Sequence, residues 1–193
     1  MRSLPNVAAA LLCLTPQTVL GQTELVLDGG IGAFAGGDFA GTPPGPALGV
    51  ALHVSEWGSA HGGVELGYSR HGGTGVESTT TQLQYLGLAR YTVLSGPILV
   101  HVGGKLGAGR RSLKIVDEPA TTDGFVLGPS VAVRFPVGSM RLQLTLDALY
   151  ETYEELIMYG SREYGTDEDG LRLVFRAGLV FSLESLRART DSP

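Results

Sequence analysis

The sequence contains little cysteine and few basic residues. Its single cysteine, Cys13, lies in an apolar segment at the N-terminus, so neither a disulfide framework nor a cysteine metal site is expected. The 14 lysine and arginine residues are outnumbered by 19 aspartate and glutamate residues, and the formal net charge is −5. No strongly basic run is present. Because nucleic acids are bound by clustered positive charge, we expect no nucleic-acid partner.

Long hydrophobic runs are also missing. The N-terminal run over residues 7–14 is far shorter than the ~20 residues that a membrane-spanning helix needs, and Pro16 follows it. It does follow the positive charge of Arg2 and precede the small residue Gly21, as in a cleaved export signal.

These features divide the chain into three parts. We predict a signal peptide over residues 1–21, a single domain over 22–183 and a short periplasmic tail over 184–193. An exported protein of this kind would be either water-soluble or inserted in an outer membrane.

Glycine is what the chain has in excess, with 29 residues, about twice the usual share. The period of three that marks collagen is absent, and 43% of the residues are hydrophobic, which argues against disorder. Glycine within apolar segments is typical of strands that bend or approach one another closely, as they do in barrels.

Eight segments alternate apolar with polar or small residues, which is the pattern of β-strands with two different faces. The seventh is the clearest, with leucines at 142, 144 and 146 against Arg141, Gln143, Thr145 and Asp147. The predicted segments are Glu24–Ala35, Ala47–Ser55, Gly63–Ser69, Gln82–Val93, Ile98–Gly107, Phe125–Phe135, Arg141–Tyr150 and Leu171–Phe181.

The fourth segment does not fit a single phase. Leu86 and Leu88 fall on the opposite face from Leu83, Tyr85 and Tyr91. Either a β-bulge or an apolar patch inside the barrel would explain the conflict.

The connections between the segments alternate between long and short. Short periplasmic turns and long extracellular loops are typical of outer-membrane barrels. The predicted long connections are Gly36–Pro46, His71–Thr80, Arg111–Asp123 and Thr152–Asp169. The predicted tight turns are Glu56–Ser59, Ser95–Pro97 and Val137–Ser139.

The polar face of the segments carries small residues and a few isolated charges of both signs. A lumen closed by eight strands has room for little else, so we predict that these charges form a network inside the barrel. The predicted lumen charges are Glu65, Lys105, Arg134, Asp147, Arg172 and Arg176.

Aromatic residues fall near both ends of the segments, as expected for belts at the two interfaces of a membrane. We predict Trp57, Tyr91, Phe135 and Phe181 at the short-turn end and Tyr68 and Tyr150 at the long-loop end.

The chain resembles the small outer-membrane β-barrels of the OmpA and opacity types. The resemblance is carried by Val102–Gly109, Arg141–Tyr150 and the final Gly178–Phe181. It implies an all-β, eight-stranded, antiparallel, up-and-down transmembrane β-barrel in the cell outer membrane. It also implies contact with outer-membrane lipid and lipopolysaccharide, and insertion by the barrel-insertion machinery. One departure is that Ser182–Pro193 follow the last aromatic residue, where such barrels often end.

Three functions follow from these patterns. The first is a structural or surface-interaction role, with four extracellular loops, an unidentified surface partner and a lumen plugged by ion pairs rather than open as a pore. The second is a soluble, lipocalin-like barrel that binds an apolar ligand inside. The third is a lipid A-modifying enzyme that would use His53 and Ser55, which lie two apart on one strand face.

Specific chemical motifs give little support to an enzyme. The chain has no HExxH motif and no phosphate-loop pattern, so we expect no metal, no cofactor and no catalytic residue. An acidic last loop would bind a cation or a basic partner, or would simply be kept solvated by its charge. Its acidic residues are Glu151, Glu154, Glu155, Glu163, Asp167, Glu168 and Asp169.

Overall fold

The computed structural model describes most of the predicted domain. The described residues are 22–39, 42–57, 59–72, 78–115, 118–138, 140–159 and 162–183. The predicted signal peptide and periplasmic tail lie outside them. No helix that is long and apolar enough to cross a membrane occurs among these residues.

Eight strands make up almost all of the described chain. Their bounds are β1 Gln22–Gly37, β2 Gly45–Trp57, β3 Ala60–Gly72, β4 Ser78–Leu94, β5 Leu99–Ile115, β6 Glu118–Val137, β7 Met140–Tyr159 and β8 Arg162–Ser182. Each strand pairs antiparallel with the next, and β8 pairs antiparallel with β1. The predicted all-β, eight-stranded, up-and-down barrel is therefore confirmed.

The strands extend further at one end than the sequence predicts. The segments Arg111–Asp123 and Thr152–Asp169 were expected to be loops, and this expectation was wrong. They are mostly paired strand, because β7 reaches Tyr159 and β8 starts at Arg162. The reason is that apolar alternation stops where a strand leaves the apolar part of the wall, although its backbone pairing continues.

The two faces of each strand differ sharply in polarity. On β8, Leu171, Leu173 and Phe175 are exposed on the exterior, whereas Arg172 and Arg176 are buried in the lumen. The exterior of the wall is therefore an apolar band, which is the reverse of a soluble barrel.

The conflict in the fourth segment is explained by an apolar patch inside the lumen. Leu86 and Leu88 are buried, and each belongs to a small apolar cluster. The register irregularity in the pairing of β4 with β5 lies between Thr92 and Leu94, near the C-terminal end of β4. A bulge therefore does not cause the change of phase at Leu86 and Leu88.

Candidate functional site: the charged lumen

All six predicted lumen charges are buried inside the barrel. Four of them meet in the middle of the lumen, while Arg134 lies toward the end that holds both ends of the barrel domain and Arg172 toward the opposite end. We call these ends lower and upper. The buried charges form three clusters, one above another.

The central cluster consists of Asp28, Glu65, Lys105, Asp147 and Arg176. Lys105 Nζ lies 2.7 Å from both Glu65 Oε2 and Asp147 Oδ2. Arg176 Nη2 lies 2.7 Å from Glu65 Oε1 and from Asp147 Oδ2, and its Nη1 lies 3.1 Å from Asp28 Oδ1. Each cation therefore bridges at least two carboxylates, which offsets the cost of removing these charges from water.

Gly49 makes room for the central cluster. A Cβ atom at this position would lie 2.1 Å from Arg176 Nη1 and 2.2 Å from Asp28 Oδ1. The absence of a side chain on β2 thus leaves the space in which these two charged groups, from the paired strands β1 and β8, meet.

The upper cluster is built around the Glu151 carboxylate and contains Ser69, Gln82, Gln84 and Arg172. Arg172 Nε lies 2.6 Å from Glu151 Oε1. Gln82 and Gln84 donate to the two carboxylate oxygens at 2.9 and 2.8 Å, and Arg172 Nη1 donates to Ser69 Oγ at 2.6 Å. A fully buried carboxylate is thereby both paired and hydrogen-bonded.

Aromatic rings and one arginine line the upper mouth of the lumen. The Arg111 guanidinium lies 4.6 Å from the centroid of the Phe39 ring and 5.2 Å from that of Tyr153, in cation–π geometry. Phe39 is only 8% exposed because the chain after β1 folds inward. Two hydrogen bonds between Asp38 and Asp169 fix this turn to β8.

The lower cluster contains Glu24, His53, Arg134 and Gln143. Arg134 donates to Glu24 Oε2 at 2.6 Å and to Gln143 Oε1 at 2.8 Å. Its Nη2 also lies 2.9 Å from His53 Nδ1. All three guanidinium nitrogens of Arg134 therefore have a partner, and His53 is one of these partners.

Arg90 is a buried charge with incomplete pairing. Its Nη2 donates to Ser130 Oγ at 2.9 Å, whereas its Nε and Nη1 have no partner among the described residues. Ser130 lies opposite Asp147 in the register of β6 and β7, so Arg90 is bound beside the central cluster.

Two apolar clusters separate the three charged ones. Val26, Ala51, Leu88 and Val180 lie between the lower and central clusters, as their positions along the strands show. Ala47, Leu86, Val126, Leu149 and Val174 lie between the central and upper clusters. A cavity of about 10 Å³ in this upper part has room for no more than one water molecule.

This layering predicts that the upper and lower clusters contribute independently to stability. Arg134→Gln and Arg172→Gln share no contact, so the two losses of unfolding free energy should add to within about 0.5 kcal/mol. Urea unfolding of the single and double variants in lipid vesicles measures the coupling. A coupling above about 1 kcal/mol would show that the clusters act as one network.

Several lumen residues were missed by the sequence analysis. Glu151 was assigned to an acidic loop although it continues the phase of Asp147 and Leu149 on β7. Arg90 shares the phase of Leu86 and Leu88, which the ambiguous fourth segment obscured. Strand phase was the signal that could have found them. The other missed members are Glu24, Asp28, Ser69, Gln82, Gln84, Arg111 and Gln143.

Five of the six predicted interface aromatics lie on the exterior face of their strands, toward one or the other end of the barrel. Tyr68, Tyr91 and Tyr150 are exposed on the exterior, and Phe135 and Phe181 are partly exposed. Tyr150 also donates to Asp169 Oδ2 at 2.7 Å. The side chains of Ser55 and Trp57 lie outside the described part of the chain, as do those of residues 154–167, which include most of the predicted acidic loop.

An antiparallel barrel of eight strands with an apolar exterior and a charged lumen has the fold of solved outer-membrane proteins. Neisserial surface protein A is similar with a TM-score of 0.58 and 16% identity, covering 83% of this chain and 96% of that one. The outer membrane protein OprG from Pseudomonas aeruginosa is similar with a TM-score of 0.50 and 11% identity, covering 84% and 97%. No protein-family model and no curated protein matches the sequence.

Proposed function

We propose that this protein is an integral outer-membrane barrel with a structural or surface-interaction role, closed to solutes by the ion pairs in its lumen. The observation that carries the proposal is the inverted polarity of the wall. Leu48, Tyr85 and Leu106 are more than half exposed on the exterior, while Lys105 and Asp147 are buried inside. Such an exterior is stable in lipid and is unfavourable in water.

The orientation follows from the two ends of the barrel domain. Both lie at the lower end, which we place in the periplasm, and the four upper connections, two of them carried on the extended strand pairs β5–β6 and β7–β8, would face outside. On this proposal the barrel contacts outer-membrane lipid and lipopolysaccharide and is inserted by the barrel-insertion machinery. Neisserial surface protein A, by its name a surface protein, has the same fold.

A soluble barrel with an apolar ligand inside is disfavoured by the same polarity. Its lumen would have to be apolar and open, whereas the described lumen is filled by the three charged clusters. A catalytic role for His53 is disfavoured because its Nδ1 contacts Arg134 within the lower cluster.

The test combines electrophoresis with conductance measurement. The outer-membrane fraction should contain the protein, it should resist extraction by salt, and boiled and unboiled samples should migrate differently. Reconstituted in planar bilayers, it should give no steady, large conductance. Recovery in the soluble periplasmic fraction without a mobility shift would refute the membrane assignment, and a steady, large conductance would refute the plug.

A further inference from the structure

The exterior of the barrel changes abruptly from apolar to charged at its upper boundary. On β3, exposed Tyr68 is followed by exposed Arg70, and on β5, exposed Ala108 is followed by exposed Arg110. On β8, Asp169 lies just above Leu171. Because the apolar band matches the lipid interior, these charges lie at the depth of the lipid headgroups.

The sign of the charge differs between the two sides of this boundary. The β3–β5 side carries Arg70 and Arg110, whereas the β6–β8 side carries Asp123 and Asp169. An anionic group would therefore be attracted to one sector of the wall and repelled by the other.

A row of hydroxyl groups continues the basic sector. Arg70 pairs with Thr81, Thr81 with Ser112, and Ser112 with Thr121 in the strand register. The Ser112 and Thr121 hydroxyl oxygens lie 3.2 Å apart, and Thr81 Oγ1 donates to the Ser112 carbonyl oxygen at 3.4 Å. Guanidinium and hydroxyl donors side by side are the groups that phosphate oxygens accept from.

Directly below this row the wall is apolar. Exposed Tyr68 lies below Arg70 on β3, and exposed Ala108 lies below Arg110 on β5. Exposed Leu66 and Tyr85, which pair in the register of β3 and β4, follow next. Only further down do outward-facing Gly87, Ala89 and Gly104 make the wall smooth. Acyl chains can therefore pack against the apolar wall beneath a headgroup held by Arg70.

We infer that the upper exterior of β3–β5 binds the phosphorylated headgroup of an outer-leaflet lipid, with Arg70 and Arg110 as the phosphate-binding residues. This inference rests on the proposed membrane location. The apolar wall directly below the basic row favours a lipid over free phosphate, because only a lipid fills both surfaces.

Asp123 limits the binding by occupying Arg110. The Arg110 Nε and Nη2 atoms donate to the two Asp123 carboxylate oxygens at 2.7 and 3.0 Å. Both side chains are about half exposed, so the pair is weak and a phosphate can compete for the guanidinium. Removing the Asp123 charge should therefore strengthen lipid binding, which a purely structural pair would not do.

Native mass spectrometry of the full chain, titrated with lipid A that carries two phosphates, tests the inference. Arg70→Gln and Arg110→Gln should each weaken binding about fivefold, the effect of one basic residue at a charged lipid surface. Asp123→Asn should strengthen binding about fivefold. Arg141→Gln removes an exposed arginine from the lower end and should change nothing. Dephosphorylated lipid A should bind equally weakly to all variants.

Three results would overturn the inference. They are equal binding of the phosphorylated and dephosphorylated lipids, unchanged binding by both arginine variants, and inorganic phosphate binding as tightly as the lipid with the same dependence on the variants. The mobility shift on boiling is recorded for every sample. A wild-type protein that lacks this shift contradicts the membrane barrel itself, whereas a normal shift with no lipid preference contradicts only the binding site.

Discussion

Replacing Asp147 with asparagine should lower the free energy of unfolding by about 3–5 kcal/mol, because it removes one partner of a buried ion pair. Asp147 Oδ2 lies 2.7 Å from both Lys105 Nζ and Arg176 Nη2, and the side chain of Asp147 is fully buried. Asparagine has nearly the same shape, so the loss reports charge rather than packing. Lys105 would keep only Glu65 as a carboxylate partner.

Urea unfolding in lipid vesicles, followed by the mobility shift on electrophoresis, measures this loss. The matched control is Asp123→Asn, which breaks an equally short ion pair with Arg110 at an exposed position. Exposed pairs contribute under about 1 kcal/mol, so the control should stay within that range. Equal losses in the two variants would show that the central cluster is well solvated and that the lumen is open.

A second substitution distinguishes the loss of an attractive ion pair from the cost of leaving a buried charge without its partner. Lys105→Met alone removes a cation shared by Glu65 and Asp147. Combined with Asp147→Asn, it should cost less than the sum of the two single losses, because one cation and one anion are then removed together. Additive losses would mean that the two groups do not interact through their charges.

The sequence predicts which face of a strand a residue occupies but not which residue it meets. Alternation with period two placed Glu65 and Lys105 on the lumen face without further information. Their contact depends on strand tilt and stagger around the closed barrel, and they are 40 residues apart in sequence. The pairing of Asp28 with Arg176, 148 residues apart, depends in addition on the closure of β1 on β8.

Lumen residues near the ends of the alternating segments were not predicted, for a different reason. Glu151 has the right phase on β7, yet its acidic neighbours gave the segment the composition of a loop. Beyond the apolar band, both faces of a strand are polar, so alternation no longer distinguishes strand from loop. The upper halves of β7 and β8 are therefore paired in the structure but unpredictable from hydrophobicity.

The glycines of the barrel wall differ in which atoms an added Cβ would contact. Gly103→Ala should lower the free energy of unfolding by about 1–3 kcal/mol, the range for overpacking. Its Cβ would lie 2.0 Å from the Ala89 carbonyl oxygen and 2.6 Å from the Arg90 Cα. Because both atoms belong to the backbone, the neighbouring strand itself would have to move.

The matched control is Gly62→Ala on β3, where an added Cβ has nothing within 4 Å. It should change stability by no more than about 0.5 kcal/mol, as surface substitutions usually do. Gly103 pairs with Arg90 on one side and Ser130 on the other, so its displacement also disturbs the Arg90–Ser130 hydrogen bond across it. Unfolding of both variants under identical conditions gives the comparison. If Gly103→Ala were as stable as Gly62→Ala, close approach of the strands would not explain this glycine, and the high glycine content would reflect the smooth exterior instead.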